Sequence, residues 1–260
     1  MSQDTESAGV NDWIFPLAKA EGDLQGSAPA FRACSQSEFV MKLAWALGAV
    51  LLATGAPIAA AAEDDEDAEF WLNPSISADL DDDTGVELEF AHRFRDAGNG
   101  RSDTHFARLW LNQDVADGVK VAGAIERRIN TDGDADETRI IQQLSTSRGL
   151  LRTRLRFEQR FLEDADRVGL RLRPRVGVSV PLDAGKRWRF NSDAELFVTL
   201  RSTSEGGDHG VTGLRTQIGF SYEVSERFSV SAGYLRQESF NDSRPDVVGH
   251  APIIGLEYSY

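Results

Sequence analysis

Arginine recurs at every second position in two neighbouring stretches of this chain. Arg152, Arg154, Arg156 and Arg160 alternate with Leu151, Leu155, Phe157 and Phe161, and Glu158 takes one place in the series. Arg171, Arg173 and Arg175 repeat the spacing soon after. A strand turns successive side chains to opposite faces, so these cations share one face and the apolar residues the other. Taking 163–167 as a hairpin turn sets Arg156 opposite Arg173, Arg154 opposite Arg175 and Glu158 opposite Arg171. Taking 183–186 as the next turn sets Arg173 opposite Glu195 and Arg175 opposite Asp193. Like charges directly opposite one another are unfavourable, so acids must balance them. Asp193 and Glu195 are the nearest, with Glu87, Glu89 and Glu126 elsewhere. Two chemistries fit such rows: a salt-bridge network that fills a narrow lumen, or an arginine-lined path that prefers anions.

Other constellations are weaker. The four histidines are His92, His105, His209 and His250. His92 and His250 sit at outward-parity positions, His105 opens a strand, and His209 lies in a connection. No Gly-x-Ser-x-Gly elbow accompanies them, and no nucleophile–base pair with geometry behind it can be placed. An enzyme acting on lipid or peptide is therefore an alternative without assigned catalytic residues. The acidic segment 130–137 has carboxylates at calcium-like spacing but lacks the sixth-position glycine and distal glutamate of an EF-hand loop. It reads as a solvated loop, or at most a weak divalent bridge to lipopolysaccharide phosphates. No cofactor or metal site is expected.

The elements that would position the arginines are strands. From Phe70 onward apolar residues recur with period two, and no helical period appears. One face carries Val86, Leu88, Phe90 and Phe94; the other carries Glu87, Glu89, Arg93 and Arg95. Similar runs follow through Leu109, Ile125, Val176, Leu196, Ile218 and Val230, with 139–146 less clean. The connections alternate in length. Those near 115–118, 147–149, 183–186 and 225–226 are short; those near 96–102, 130–136, 202–209 and 240–246 are long and polar, and 163–167 is intermediate. Such alternation marks a membrane barrel with short turns at one end and loops at the other. About eleven runs are visible, whereas single-chain bacterial barrels have even strand numbers. The expectation is an all-β, transmembrane, antiparallel up-and-down barrel of ten to twelve strands, occupying residues 70–260.

The last strand supports this. Ile254, Leu256, Tyr258 and Tyr260 share one face, and the chain stops on an aromatic residue. A terminal aromatic suits a lipid interface. Bacterial outer-membrane proteins resemble one another in such an ending, which implies that these four residues form the signal read by the barrel-assembly machinery.

Near the other end, Lys42 precedes the apolar run 43–53, Pro57 interrupts it, and small residues follow to Ala62. This reads as a secretory signal over 41–62, cleaved after Ala61 or Ala62. Residues 1–40 are polar, unpatterned and hold Cys34, the one cysteine; they are expected to be an upstream extension that is disordered. Residues 63–69 would be an acidic, solvated leader.

The 260 residues carry a formal net charge of −14, and charged residues make up 27%. Mean hydropathy is −0.35. That average does not argue against a barrel, where only alternate residues meet lipid. The acidic balance argues against nucleic acid as a partner. Expected partners are outer-membrane lipid, lipopolysaccharide and the assembly machinery, and the expected location is the outer membrane.

The stretch Leu151-Arg-Thr-Arg-Leu-Arg-Phe-Glu-Gln-Arg-Phe161, followed by Arg171-Leu-Arg-Pro-Arg-Val-Gly-Val-Ser-Val-Pro-Leu182, resembles the uncharacterised barrel family known as domain of unknown function 2490. The resemblance spans about residues 70–260. It implies an outer-membrane barrel and brings no catalytic residues. The function expected is a structural or envelope role with a charge-filled lumen, the alternatives being a small passive anion-preferring channel and a barrel enzyme.

Overall fold

A computed structural model describes residues 65–95, 103–131, 135–241 and 246–260. The expected signal, the upstream extension and the first two residues of the leader lie outside the described residues, as do Asp132 and Asp134 of the acidic segment.

The described residues form eleven strands: β1 (Asp65–Asp79), β2 (Thr84–Arg95), β3 (Thr104–Ala116), β4 (Val119–Asn130), β5 (Glu137–Arg148), β6 (Leu151–Leu162), β7 (Gly169–Pro181), β8 (Trp188–Arg201), β9 (Gly210–Ser225), β10 (Phe228–Ser239) and β11 (Val247–Ser259). Each pairs with its sequence neighbours, and β1 pairs with β11 to close a barrel. Every ladder is antiparallel except the closing one, where Trp71 lies beside Ile253 and Ile76 beside Tyr258 in parallel. In an up-and-down chain strand direction alternates, so an odd count necessarily makes the first and last strands parallel. The eleven runs in the sequence are thus eleven strands, and β1 starts at the end where the long connections lie. It also starts earlier than the apolar alternation at Phe70, taking Asp65 to Glu69 of the acidic run into the ladder.

Barrel closure leaves two surfaces, and their polarity is the reverse of a soluble protein's. Each of the eleven strands exposes at least one large apolar side chain, among them Ile76, Phe90, Leu109, Ile125 and Ile254. The most deeply buried large side chains are mostly charged, including Arg108, Arg156, Arg173, Glu126 and Glu158. An apolar exterior around a polar interior is the arrangement of a transmembrane barrel, because lipid replaces water outside. Twelve-residue strands such as β2 and β6 reach about 40 Å along the chain. At a barrel tilt near 40° that becomes roughly 30 Å, the thickness of a bilayer core.

The short hairpins follow local chemistry. Gly118 and Gly149 adopt positive φ, 66° and 60°, a conformation that tight hairpin turns place on glycine. At Gly118 a Cβ would also lie 2.3 Å from the Ser147 carbonyl oxygen.

Candidate functional site

The interior side chains are organised by one belt of alternating charge. Glu89 of β2 accepts from Arg108 of β3 at 2.7 Å. Arg108 also binds Glu126 of β4, through Nε at 2.8 Å. Glu126 lies 3.5 Å from Arg139 of β5, which lies 4.0 Å from Glu158 of β6. Glu158 accepts from Arg173 of β7 at 2.6 Å, and Arg173 donates to Glu195 of β8 at 2.7 Å. Glu195 in turn lies 3.6 Å from Arg215 of β9. Eight successive strands each contribute one charge, and the signs alternate throughout.

Further pairs hang from this belt. Glu158 takes Arg171 through two nitrogens, at 2.9 and 2.7 Å. Glu137 accepts from Arg139 at 2.5 Å and from Arg160 at 2.6 Å. Arg128 donates to Glu126 at 3.2 Å. Arg154 binds Glu195, and Arg175 donates to Asp193 at 2.5 Å and to Gln217 at 3.1 Å. Arg156 is held by a neutral acceptor, Gln143, at 2.9 and 2.6 Å. Aromatic faces lie between the cations. Trp110 stands 5.4 Å from Arg108 and 5.0 Å from Arg156, and Phe197 stands 4.7 Å from Arg173 and 5.0 Å from Arg215. Guanidinium over an aromatic face is favourable, more so when both are desolvated.

The belt stops where β10, β11 and β1 begin. Leu235, Ala251, Ile253 and Trp71 cover that arc and pack with Ala91 and Phe106 in one apolar cluster. Arg215 meets the Trp71 ring at 5.3 Å, so the last cation of the belt reaches across to the first strand.

Of the residues singled out in the sequence, Arg154, Arg156, Glu158, Arg171, Arg173, Arg175 and Glu195 are buried inside the barrel. Asp193 and Arg160 are mostly covered, with side chains 9% and 12% exposed. Arg152 sits at the short-turn end, where it donates to the Gly149 and Leu151 carbonyls at 2.8 and 3.0 Å. The β6–β7 register is the expected one, with Arg156 opposite Arg173 and Glu158 opposite Arg171. The β7–β8 register is not: Arg175 stands opposite Glu195 and Gly177 opposite Asp193. The turn is longer and its centre lies further on than expected, because Leu182 N–H bonds the Trp188 carbonyl and Lys186 takes a positive φ of 56°. Ile254 and Tyr258 point outward from β11, and Tyr260 is 83% exposed.

Sequence reasoning named Glu89 and Glu126 as balancing acids elsewhere on the wall, and left out Arg108, Arg139 and Arg215 along with every inward aromatic. Their parity was a usable signal. Glu89, Arg108, Glu126 and Arg139 are direct partners across successive ladders, so hairpin sums alone would have aligned them.

The histidines lie away from the belt. His92 contacts Asp103 at 3.3 Å, stacks on Phe94 at 3.7 Å and meets His105 at 4.0 Å, all at the long-connection end. Asp103 is held below the usual carboxylate range because it accepts the Arg95 N–H, at 2.8 Å, with His92 beside it. His250 bonds Tyr234. In the segment 130–137, Asp136 binds Arg127 at 2.8 Å and Glu137 points inward to Arg139 and Arg160. Among the described residues no three His, Cys, Asp or Glu side chains are grouped as a metal site.

Comparison with known proteins agrees with the architecture. The profile of a family described as protein of unknown function (DUF2490) matches residues 68–248. An uncharacterised protein of Methylorubrum extorquens is 30% identical over 223 residues, covering 81% of this chain and 94% of the relative. Among solved structures, the NanC porin superposes with a TM-score of 0.51 at 8% identity, covering 73% of this chain and 97% of the porin. At that identity the likeness speaks for the fold.

Proposed function

Because the chain belongs to the DUF2490 family, whose activity is unknown, its role has to be read from the barrel interior, and we propose a structural envelope barrel closed by its own charges. In this reading the protein is exported by its signal and inserted into the outer membrane by the barrel-assembly machinery. There its apolar exterior meets lipid and lipopolysaccharide. The porin-like fold and the exposed apolar side chains support that location.

The observation that carries the reading is the belt from Glu89 to Arg215, completed by Trp71, Ile253 and Leu235. Its members are shielded from solvent; Arg108, Glu126, Arg139, Glu158 and Arg173 are all 0% exposed. A narrow barrel fills its lumen with side chains. Breaking one buried ion pair is costly, because it leaves a charge uncompensated. The interlocked pairs therefore brace eight strands against one another and leave no wide aqueous path. No reaction is assigned.

A passive anion-preferring passage is the second reading, and one observation favours it. Ten arginines but only five glutamates are buried among the described residues, and rings of arginine favour anions. Single-channel recording of the purified protein in planar bilayers separates the two. The structural reading expects no discrete conductance. Steady, anion-selective openings would replace it with the second.

A further inference from the structure

Arg93 differs from the other interior arginines. It is 1% exposed, and its guanidinium lies 4.3 Å above Trp71 and 5.9 Å from Phe106. It makes no ion pair among the described residues, and its Nε and Nη2 have no hydrogen-bond partner there. The charged groups acting on it most strongly are Arg128, Glu69, Arg95 and Arg215. Glu69 is the one acid of the four, and its carboxylate is taken: Arg95 Nε donates to it at 2.8 Å and Trp71 Nε1 at 2.6 Å.

Three of the other cations share rings with Arg93. Arg108 and Arg128 each stand 5.3 Å from Phe106, and Arg215 stands 5.3 Å from Trp71. Four guanidinium groups thus meet around two aromatic faces. Arg128 draws on Glu126, which Arg108 and Arg139 also use, and Arg215 takes neutral Gln237 at 2.7 Å with Glu195 3.6 Å away. Arg93 alone of this group has no carboxylate partner among the described residues, and a buried cation without a counter-charge is expensive.

We propose that Arg93, flanked by Arg128 and Arg215 over Trp71 and Phe106, forms a binding site for one small oxyanion, a carboxylate or a phosphate. The unpaired edge of Arg93 is the buried Nε–Nη2 edge, which presents two parallel N–H bonds. That fork matches two oxygens of a carboxylate or phosphate. Chloride, with a single centre, meets the two parallel bonds less squarely than two separate oxygens do. The site goes beyond the structural reading, since it exists whether or not the lumen ever conducts.

The test uses the full barrel in detergent at constant ionic strength, titrating sodium phosphate or sodium acetate against chloride. Tryptophan fluorescence, to which Trp71 contributes with Trp110 and Trp188, and the unfolding temperature are read together. The wild type is expected to show a saturable fluorescence change and a rise in Tm with at least one of the two oxyanions, and which one responds identifies the class. Arg93→Gln is expected to abolish both signals. Arg93→Lys keeps the charge but loses the fork, and is expected to bind at least tenfold more weakly. Arg187→Gln, at the exposed short-turn end, is expected to respond like the wild type. A wild type indifferent to both oxyanions overturns the proposal, and so does an Arg93→Gln barrel that still saturates. If that variant fails to fold, Arg93→Lys decides: undiminished affinity overturns the assignment.

Discussion

Arg173 donates to both oxygens of Glu195, at 3.0 and 2.7 Å, although the ladder places Glu195 opposite Arg175. The ion pair is diagonal, two residues off register. Diagonal neighbours lie about 7–8 Å apart at Cα, within reach of a long side chain. The same lean lets Arg175 reach Asp193, which the ladder sets opposite Gly177. Side chains in strands lean along the strand direction, so the ionic register and the backbone register differ by one pleat.

Glu195 has more to lose than Asp193. It serves Arg173, Arg154 and Arg215, whereas Asp193 serves Arg175. Glu195→Gln is expected to destabilise the barrel by about 3–5 kcal/mol, the usual cost of stranding a buried charge. Asp193→Asn is expected to cost less, and the double variant more than either. Leu196→Met on the outer face is expected to cost under about 1.5 kcal/mol. Urea unfolding in detergent measures all four; a Glu195→Gln midpoint equal to the wild type would remove the belt from the account of stability.

Gly219 of β9 faces Gly233 of β10 across the ladder. A Cβ at 219 would lie 2.6 Å from the Ala232 carbonyl oxygen and 2.8 Å from the Gly233 Cα, both backbone atoms with little freedom to yield. Gly219→Ala is expected to destabilise by about 1–3 kcal/mol, as overpacking does. Gly123→Ala is the contrast, because its nearest neighbour would be 3.9 Å away. Equal midpoints for the two variants would show that the β9–β10 contact is not tight.

The β7–β8 turn carries a pH dependence. Asp183 accepts the Trp188 N–H at 2.8 Å, and that bond is the main reason its pKa lies below the ordinary aspartate value. A depressed folded pKa means the turn's contribution is complete above the unfolded value, near 3.9. It is lost as pH falls through the folded one. NMR titration in micelles is expected to give Asp183 a midpoint below that of a free aspartate, with the Trp188 amide shift moving at the same pH. A midpoint at or above the free value would contradict the turn geometry.

Tyr260 closes the seam. Its N–H donates to the Ser77 carbonyl at 2.9 Å, joining the chain end to β1, and its ring lies 6.0 Å from Arg227. Deleting it is expected to lower the fraction of heat-modifiable, folded barrel recovered from membranes, because both the seam bond and the interfacial aromatic are lost. Full recovery would mean that Ile254, Leu256 and Tyr258 suffice for assembly.

The sequence by itself determined the faces. A period of two needs only adjacent residues, so Arg154, Arg156 and Arg173 can be turned inward, and Leu155 and Val176 outward, without any tertiary information. Connection lengths placed the two ends of the barrel, and one hairpin sum placed Arg156 opposite Arg173. What only the tertiary structure decided are relationships spread over many strands. The β7–β8 register depended on how the turn around Lys186 folds, and a shift of two residues there leaves every face unchanged, so periodicity cannot detect it. The parallel seam between Trp71 and Ile253 joins residues far apart in the chain and follows from closure, which no local pattern encodes. The continuity of the belt from Glu89 to Arg215, and the unpaired edge of Arg93 beside it, depend on which side chains lean toward which neighbours once the strands tilt. Tilt is fixed jointly by strand number and stagger, a property of the closed barrel as a whole.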